Sequence, residues 1–247
     1  MHIAMKKLSY LLLLISCSIA LVTSCEKDDF PGPDAQVFGA IRDSIGGALV
    51  EQDIQTGSQI EVQELGFPTL VSQFWVIKNN GEYRNNLVFS NDYDIYLRNG
   101  NFFPYTLKNV NIKPGENNID FYVIPYIRVK EVSITRNTVT NKIEATFKLE
   151  AGKSVVKVKS IQLYAFSDIY VGAQIKFATA GTGFSQTFSP TINIDPATTY
   201  TLSIDLAANT ALFKTGRDYF FRVGAMADLT GVGTIRTNYA PYVKISL

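Results

Sequence analysis

Nucleophilic and zinc chemistry usually starts from imidazoles and thiols. This chain holds one histidine, His2, and two cysteines, Cys17 and Cys25, all within the first 25 of its 247 residues. Ser-His-Asp and Cys-His systems need an imidazole base, and structural or catalytic zinc is held mainly by His and Cys. Residues 26–247 contain neither type, so both chemistries are excluded there. Paired-carboxylate glycoside hydrolysis needs only two suitably spaced acids, and calcium takes oxygen ligands, so these stay open. The densest acid and amide clusters are "NDYDIY" (Asn91 to Tyr96) and "ENNID" (Glu116 to Asp120). Neither has the calcium-loop spacing with its Gly and terminal Glu. They are expected as turns flanking strands, where Asn and Asp bond their own backbone. "TAGTGF" (Thr179 to Phe184) lacks the Lys-Ser/Thr of a phosphate loop and reads as a turn. No catalytic group, metal site or cofactor is assigned, and the chain is not expected to be an enzyme.

The positions of the cysteines carry more than their chemistry. Lys6 and Lys7 precede an apolar run from Leu8 to Val22 that is interrupted at Ser16-Cys17-Ser18. That is the layout of a secretory signal, too short and broken for a membrane span. Val22-Thr23-Ser24-Cys25 resembles the lipobox of bacterial lipoproteins, in which the cysteine thiol takes the lipid. Leu14-Ile15-Ser16-Cys17 fits as well, but an apolar stretch follows Cys17, whereas Glu26-Lys27-Asp28-Asp29 and a Pro/Gly tether follow Cys25. Cys25 is therefore read as the lipid anchor, residues 1–24 as signal peptide and 25–33 as tether. "CEKDD" also resembles the signal that sends Bacteroidetes lipoproteins to the outer face of the outer membrane. The expected location is the outer membrane, lipid-anchored and facing the exterior. Several acyl chains hold such a protein stably where one would not.

Cleavage before Cys25 leaves 223 residues with 21 Lys+Arg against 22 Asp+Glu. No basic excess remains to suggest nucleic acid. Along this body apolar residues recur at every second position, the strand period. Ile60 and Val62, then Ile143, Ala145, Phe147 and Leu149, then Tyr200, Leu202 and Ile204, then Tyr219, Phe221, Val223 and Ala225 each form one face of a strand. Turn signals such as Asn79-Asn80-Gly81 and Pro114-Gly115 separate the runs at sandwich spacing. Only Leu206 to Lys214 reads as a helical turn. The fold class is all-β, two tandem sandwiches, with Pro125 interrupting the ladder and domains at 34–127 and 128–247.

"PDAQVFGAIRDSIGGALV" (Pro33 to Val50) resembles the opening of a carboxypeptidase-regulatory-like or transthyretin-like domain, where Gly39 would relieve crowding in the first strand. "DDFPGPDAQVFGAIRD", "GSQIEVQELGF", "QFWVIKNNGEYRNNLVF" and "GNFFPYTLKNVNIKPGENNIDFYVIPYIRV" run in order from Asp28 to Val129. Together they resemble a Bacteroidetes family of two-domain surface lipoproteins of unknown function, found beside starch-utilization-like transporters. "KTGRDYFFRVGAMA" (Lys214 to Ala227) resembles the penultimate strand of an immunoglobulin or fibronectin-III sandwich, with Tyr219 as the corner tyrosine. What the family resemblance implies is a non-catalytic accessory protein that binds or presents polysaccharide for a TonB-dependent transporter and its glycan-binding lipoprotein partner. A docking module that holds partner proteins is the alternative, and a carboxylate-based glycosidase the third class. Sugars pack on exposed aromatic rings, and the chain has 13 Tyr, 16 Phe and one Trp. In "QFWVIK" Phe74 and Val76 share one face and Trp75 and Ile77 the other. In "NGNFFPYTL" the rings of Phe102, Phe103 and Tyr105 cannot all enter one core. Trp75, Phe102, Phe103 and Tyr105 are the candidate glycan-binding residues.

Overall fold

A computed structural model describes residues 31–247; the signal segment, Cys25 and most of the tether lie outside the described residues. Eight strands build the first sandwich: β1 (Ala35–Asp43), β2 (Gln59–Glu64), β3 (Ser72–Val76), β4 (Glu82–Val88), β5 (Asn91–Arg98), β6 (Tyr105–Ile112), β7 (Gly115–Asn118) and β8 (Phe121–Val123). One sheet runs β4-β1-β7 with β8 also on β1, and the other runs β3-β2-β5-β6. Between them Val37, Ile41, Ile60, Val62, Tyr93, Ile95, Leu97 and Phe121 interdigitate as a core. Gly39 sits where β1 exchanges β7 for β8 as its parallel partner. A Cβ there would stand 2.0 Å from the Ile119 carbonyl oxygen, so crowding explains the glycine.

The second sandwich uses β9 (Ile127–Asn137), β10 (Lys142–Ala151), β11 (Lys157–Phe166), β12 (Ser185–Asn193), β13 (Thr199–Asp205), β14 (Asp218–Asp228), β15 (Asn238–Tyr239) and β16 (Val243–Ser246). Its sheets are β13-β10-β9 and β12-β11-β14-β15, with β16 on β14. The inward rows expected from the alternation, Ile143 to Leu149, Tyr200 to Ile204 and Tyr219 to Ala225, are all buried in one cluster. A single 3₁₀ turn, Ala207–Asn209, lies within the expected helical stretch. The Tyr219 hydroxyl accepts the Lys214 backbone N–H at 2.6 Å, the bond of a tyrosine corner. The acid clusters depart from expectation. Asn91 to Tyr96 is strand rather than turn, because Tyr93, Ile95 and Leu97 alternate into the core. Glu116 to Asn118 belongs to β7, and Asp120 closes the crossing by accepting Ala40 N–H at 2.8 Å and Arg42 Nε at 2.6 Å.

The sandwiches meet in one compact unit, Pro33–Leu247, across a buried polar junction. Arg222 on β14 is 0 % exposed, and its five N–H donors all find acceptors. Nε donates to Ala240 O at 2.9 Å. Nη1 donates to Gln52 O at 3.0 Å and Val171 O at 3.2 Å. Nη2 donates to the Glu51 carboxylate at 2.5 Å and Asn79 O at 3.1 Å. The guanidinium also lies 4.2 Å over the Tyr239 ring, whose hydroxyl donates to Asp53. Asn101 donates to Glu51 O and Thr237 O, and Asn238 donates to Asn101 O. Arg128 closes the outer side, with Nε and Nη2 on Asp43 at 2.5 and 2.8 Å. Buried charge is tolerated when paired and fully hydrogen-bonded, and here both conditions hold.

Candidate functional site

The sequence-derived aromatics do not form a sugar platform. Trp75 is 4 % exposed and stacks on Tyr83 with centroids 6.2 Å apart. Its Nε1 has no hydrogen-bond partner. Phe102 is fully buried in the first core. Phe103, half-buried, turns the other way against the second core, edge-on to Tyr126 at 5.0 Å and capped by Lys153 Nζ at 4.1 Å. Tyr105 packs half-buried on the first core. The physical reason is the position of the loop. It lies at the seam between two cores, so neighbouring rings divide between them instead of facing solvent.

The strand alternation at β3 is as expected, but the outward face is the other one. Phe74 is 55 % exposed, and Val76 beside it is exposed too. Register places Phe74, Glu61 and Tyr96 in one row across β3, β2 and β5, with Ser72, Gln63 and Asp94 in the next. Adjacent strands lie about 4.8 Å apart, so Phe74 stands roughly 10 Å from Tyr96 along the row. Glu61 between them is nearly buried and is gripped by Arg98 Nε and Nη2, both at 2.6 Å. The Ser72 hydroxyl adds a third bond at 2.8 Å. Desolvation pushes the Glu61 carboxyl up, but the Arg98 and Ser72 bonds outweigh it and hold it below the usual carboxylate range. Tyr96 is not free: Lys108 Nζ and the Arg98 guanidinium sit 4.4 and 5.2 Å from its centroid. Phe74 is the open ring.

At the junction end of this face a cleft of about 140 Å³ is lined by Gln59, Glu61, Phe74, Arg98, Asn99 and Arg236. The second sandwich closes it. Thr234 N–H donates to Asn99 Oδ1 at 3.0 Å, and Arg236 N–H donates to Gly100 O at 2.9 Å. An apolar ring, a guanidinium fork locked by its carboxylate, and amide side chains are the groups that recognise a pyranose. Such a site can stack the sugar's C–H face and meet its hydroxyls. Its one carboxylate is held ionised, whereas glycoside hydrolysis needs a pair with one acid protonated. Two further pockets, one lined by Tyr170 and Tyr242 and the other by Arg42 and Asp120, share Lys78 and Glu82 on their walls. The shared pair is loose, at 3.9 Å with both side chains half in solvent. No group of three or more His, Cys, Asp or Glu among the described residues could hold a metal.

The Phe74 cleft owes its shape to register, and the junction owes its strength to contacts between residues more than 100 positions apart. Sequence reasoning missed Arg222, Glu51 and Arg98. The available signal was a charge inside the apolar run "FFRVGAMA".

Comparison with known proteins places this architecture. A crystal structure from Bacteroides uniformis, described as that of a candidate carbohydrate-binding protein, superposes with a TM-score of 0.84 at 50 % identity, over 87 % of this chain and 100 % of that one. Two DUF3823 family proteins share the fold. One, from Parabacteroides merdae, has a TM-score of 0.69 at 17 % identity over 87 % of this chain and 100 % of its own. The other, from Bacteroides ovatus, has 0.68 at 19 % over 86 % and 98 %. No curated protein matches the chain. Residues 35–124 match the model of the protein of unknown function (DUF3823) N-terminal domain, and residues 127–244 match the domain of unknown function DUF3823_C. With both halves matched in order and a relative at 50 % identity along the whole body, the chain belongs to the DUF3823 family.

Proposed function

We propose that this chain is a non-catalytic lipoprotein, anchored through Cys25 and displayed on the outer membrane, that binds or presents polysaccharide for a TonB-dependent uptake system. The observation that carries the binding role is Phe74, an exposed aromatic ring beside a guanidinium fixed by its own carboxylate. An ion pair held at 2.6 Å on both nitrogens pre-organises its remaining donors, so little order is lost on binding. The half-identical relative described as a candidate carbohydrate binder supports the same reading. We place the sugar on the Phe74 face, with Arg98, Gln59, Asn99 and Arg236 meeting its hydroxyls.

Affinity electrophoresis of the mature chain against plant, algal and host polysaccharides tests this. Retardation by one polymer that disappears in Phe74→Ala and in Arg98→Ala, but survives Tyr170→Ala, is the expected result. Retardation insensitive to Phe74→Ala and Arg98→Ala places the site elsewhere. If no polymer retards the chain, the docking role replaces glycan capture. Anchoring is tested separately, since Cys25→Ala should release the protein from the membrane fraction.

A further inference from the structure

The end of the first sandwich at which the chain enters β1 carries several exposed apolar side chains. Asp34 is fixed there: its carboxylate accepts the Ser90 N–H at 2.7 Å and the Ser90 hydroxyl at 2.8 Å, and its carbonyl accepts Gly115 N–H at 2.9 Å. Register brings other segments to the same end. Ala35 lies opposite Val88, Glu64 opposite Tyr93, Gln63 opposite Ser72 and Asn91 opposite Ile112. Asn91 Nδ2 donates to Leu65 O at 3.0 Å, and Leu65 N–H donates to Asp92 O at 2.9 Å, which ties the β2–β3 loop to the β4–β5 turn. Phe67, Leu70 and Val71 on the loop, Phe89 on the turn and Leu87 at the end of β4 beside it are all exposed. Single exposed apolar residues are ordinary, but several at one end mark a surface that is covered in use.

The length of the tether says what covers it. Cys25 precedes Asp34 by nine residues, and even fully extended they span at most about 30 Å. The opposite end of this sandwich is taken up by the junction with the second one, through Gln52, Asn79 and Asn101. An anchored body therefore has one free end, the entry end, within reach of the lipid. We propose that this end seats on the membrane surface, with Phe67, Leu70, Val71, Leu87 and Phe89 resting in the headgroup boundary and the second sandwich held outward. The proposal rests on the reading of Cys25 as the anchor. A short tether gives an effective concentration in the mM range, so a shallow apolar contact too weak to recruit a free protein stays occupied. The charged groups around the entry end are mostly acidic, Asp34, Glu64, Asp92 and Glu116 against Lys113, with Arg84 reaching in from mid-strand to Glu116 at 3.7 Å. The contact is therefore apolar, unlike the electrostatic binding of polybasic segments to anionic lipid.

The experiment uses the lipidated mature chain in phosphatidylethanolamine/phosphatidylglycerol vesicles, with and without brominated acyl chains. Trp75 lies in the core, so a Phe67→Trp variant adds one indole at the proposed contact, and Tyr170→Trp adds one away from it. Expected are a blue shift and loss of the added emission of Phe67→Trp in brominated vesicles, unchanged by salt or by the phosphatidylglycerol fraction, and no loss for Tyr170→Trp. An unquenched Phe67→Trp on a chain that co-sediments with vesicles overturns the seating while leaving the anchor intact. Failure to co-sediment overturns the anchor and the seating together. Crosslinking of Phe67 to a protein in cells, with no lipid quenching, assigns the surface to a protein partner and also overturns it.

Discussion

Replacing Arg222 with Met should be among the most damaging single changes in the body of the protein. Methionine keeps the stem but deletes five donors. The carbonyls of Gln52, Val171 and Ala240 lose their partner, Asn79 O keeps only the Gln52 N–H, and Glu51 is left as a buried carboxylate without a counter-charge. Breaking one side of a buried ion pair costs about 3–5 kcal/mol. Orphaned buried acceptors add roughly 1–3 kcal/mol each where water cannot reach them, but Glu51 lines a cavity of about 420 Å³ from which water can relieve some. A loss of about 4 kcal/mol is expected, and at ~2–4 °C per kcal/mol for a body of this size the melting point should fall by roughly 8–16 °C. Because the same residue joins the sandwiches, calorimetry should show one transition for the wild type and two for the variant. Adding Glu51→Gln removes the stranded charge and should recover about 1–2 kcal/mol, since an unpaired buried charge is a substantial part of the penalty. Arg222→Lys, with one ammonium in place of the fork, should recover little. A loss below about 1 kcal/mol, or no recovery on adding Glu51→Gln, would refute the account of the junction as a paired, desolvated network.

Three further outcomes follow from burial and geometry. Trp75→Ala should cost about 3–5 kcal/mol, because the ring stacks within the core, while Phe74→Ala should cost under about 1 kcal/mol and act on glycan retention instead; chemical denaturation run beside electrophoresis separates the two. Gly39→Ala should destabilise by several kcal/mol, since its Cβ meets the Ile119 carbonyl at 2.0 Å, and urea midpoints at unchanged slope would read it. The Glu61 carboxyl lies below its unfolded value of 4.5 in the folded state, so its ion pair contributes fully above that value and is lost as pH falls through the folded value. The stability gap between wild type and Glu61→Gln should therefore stay constant from pH 8 to about 5 and close in more acid solution; a gap that widens on acidification would reverse the assigned sign.

Much of the fold was legible because a strand's period of two survives any tertiary context. The rows at Ile143, Tyr200 and Tyr219 show it, since each buries the face that the alternation marks. Which face is inward is a different question, and at β3 the pattern is symmetric: Phe74 and Val76 are as apolar as Trp75 and Ile77. The neighbours decide it. Tyr83 and Tyr93 offer Trp75 ring faces at 6.2 and 6.5 Å, and no local signal announces them. In "NDYDIY" the Asn and Asp residues suggested a turn, yet Tyr93 and Ile95 already carried the alternation, and burial of two large side chains outweighs a turn preference.

The site was less legible, and the reason lies in chain separation. Glu61 and Arg98 are 37 positions apart, and Arg222 and Glu51 are 171 apart. No spacing rule links such pairs, because their proximity is a product of register and domain docking rather than of helix or strand period. What the sequence does carry is a local inconsistency. Arg222 follows Phe220 and Phe221 and precedes Val223, Gly224 and Ala225 on β14, which lies between β11 and β15/β16 in the sheet. An arginine on such a strand must either break the apolar face or be met by a carboxylate and carbonyls from elsewhere. The second outcome implies a partner surface at that point, and here the loops of the first sandwich supply it. The entry end is the converse case: Phe67, Leu70 and Val71 are exposed apolar residues in a loop with no partner inside the described chain. An unmatched charge within a core and an unmatched apolar group outside one are both claims on a second surface. The junction satisfies the first claim within the molecule, and the proposed membrane seat would satisfy the second.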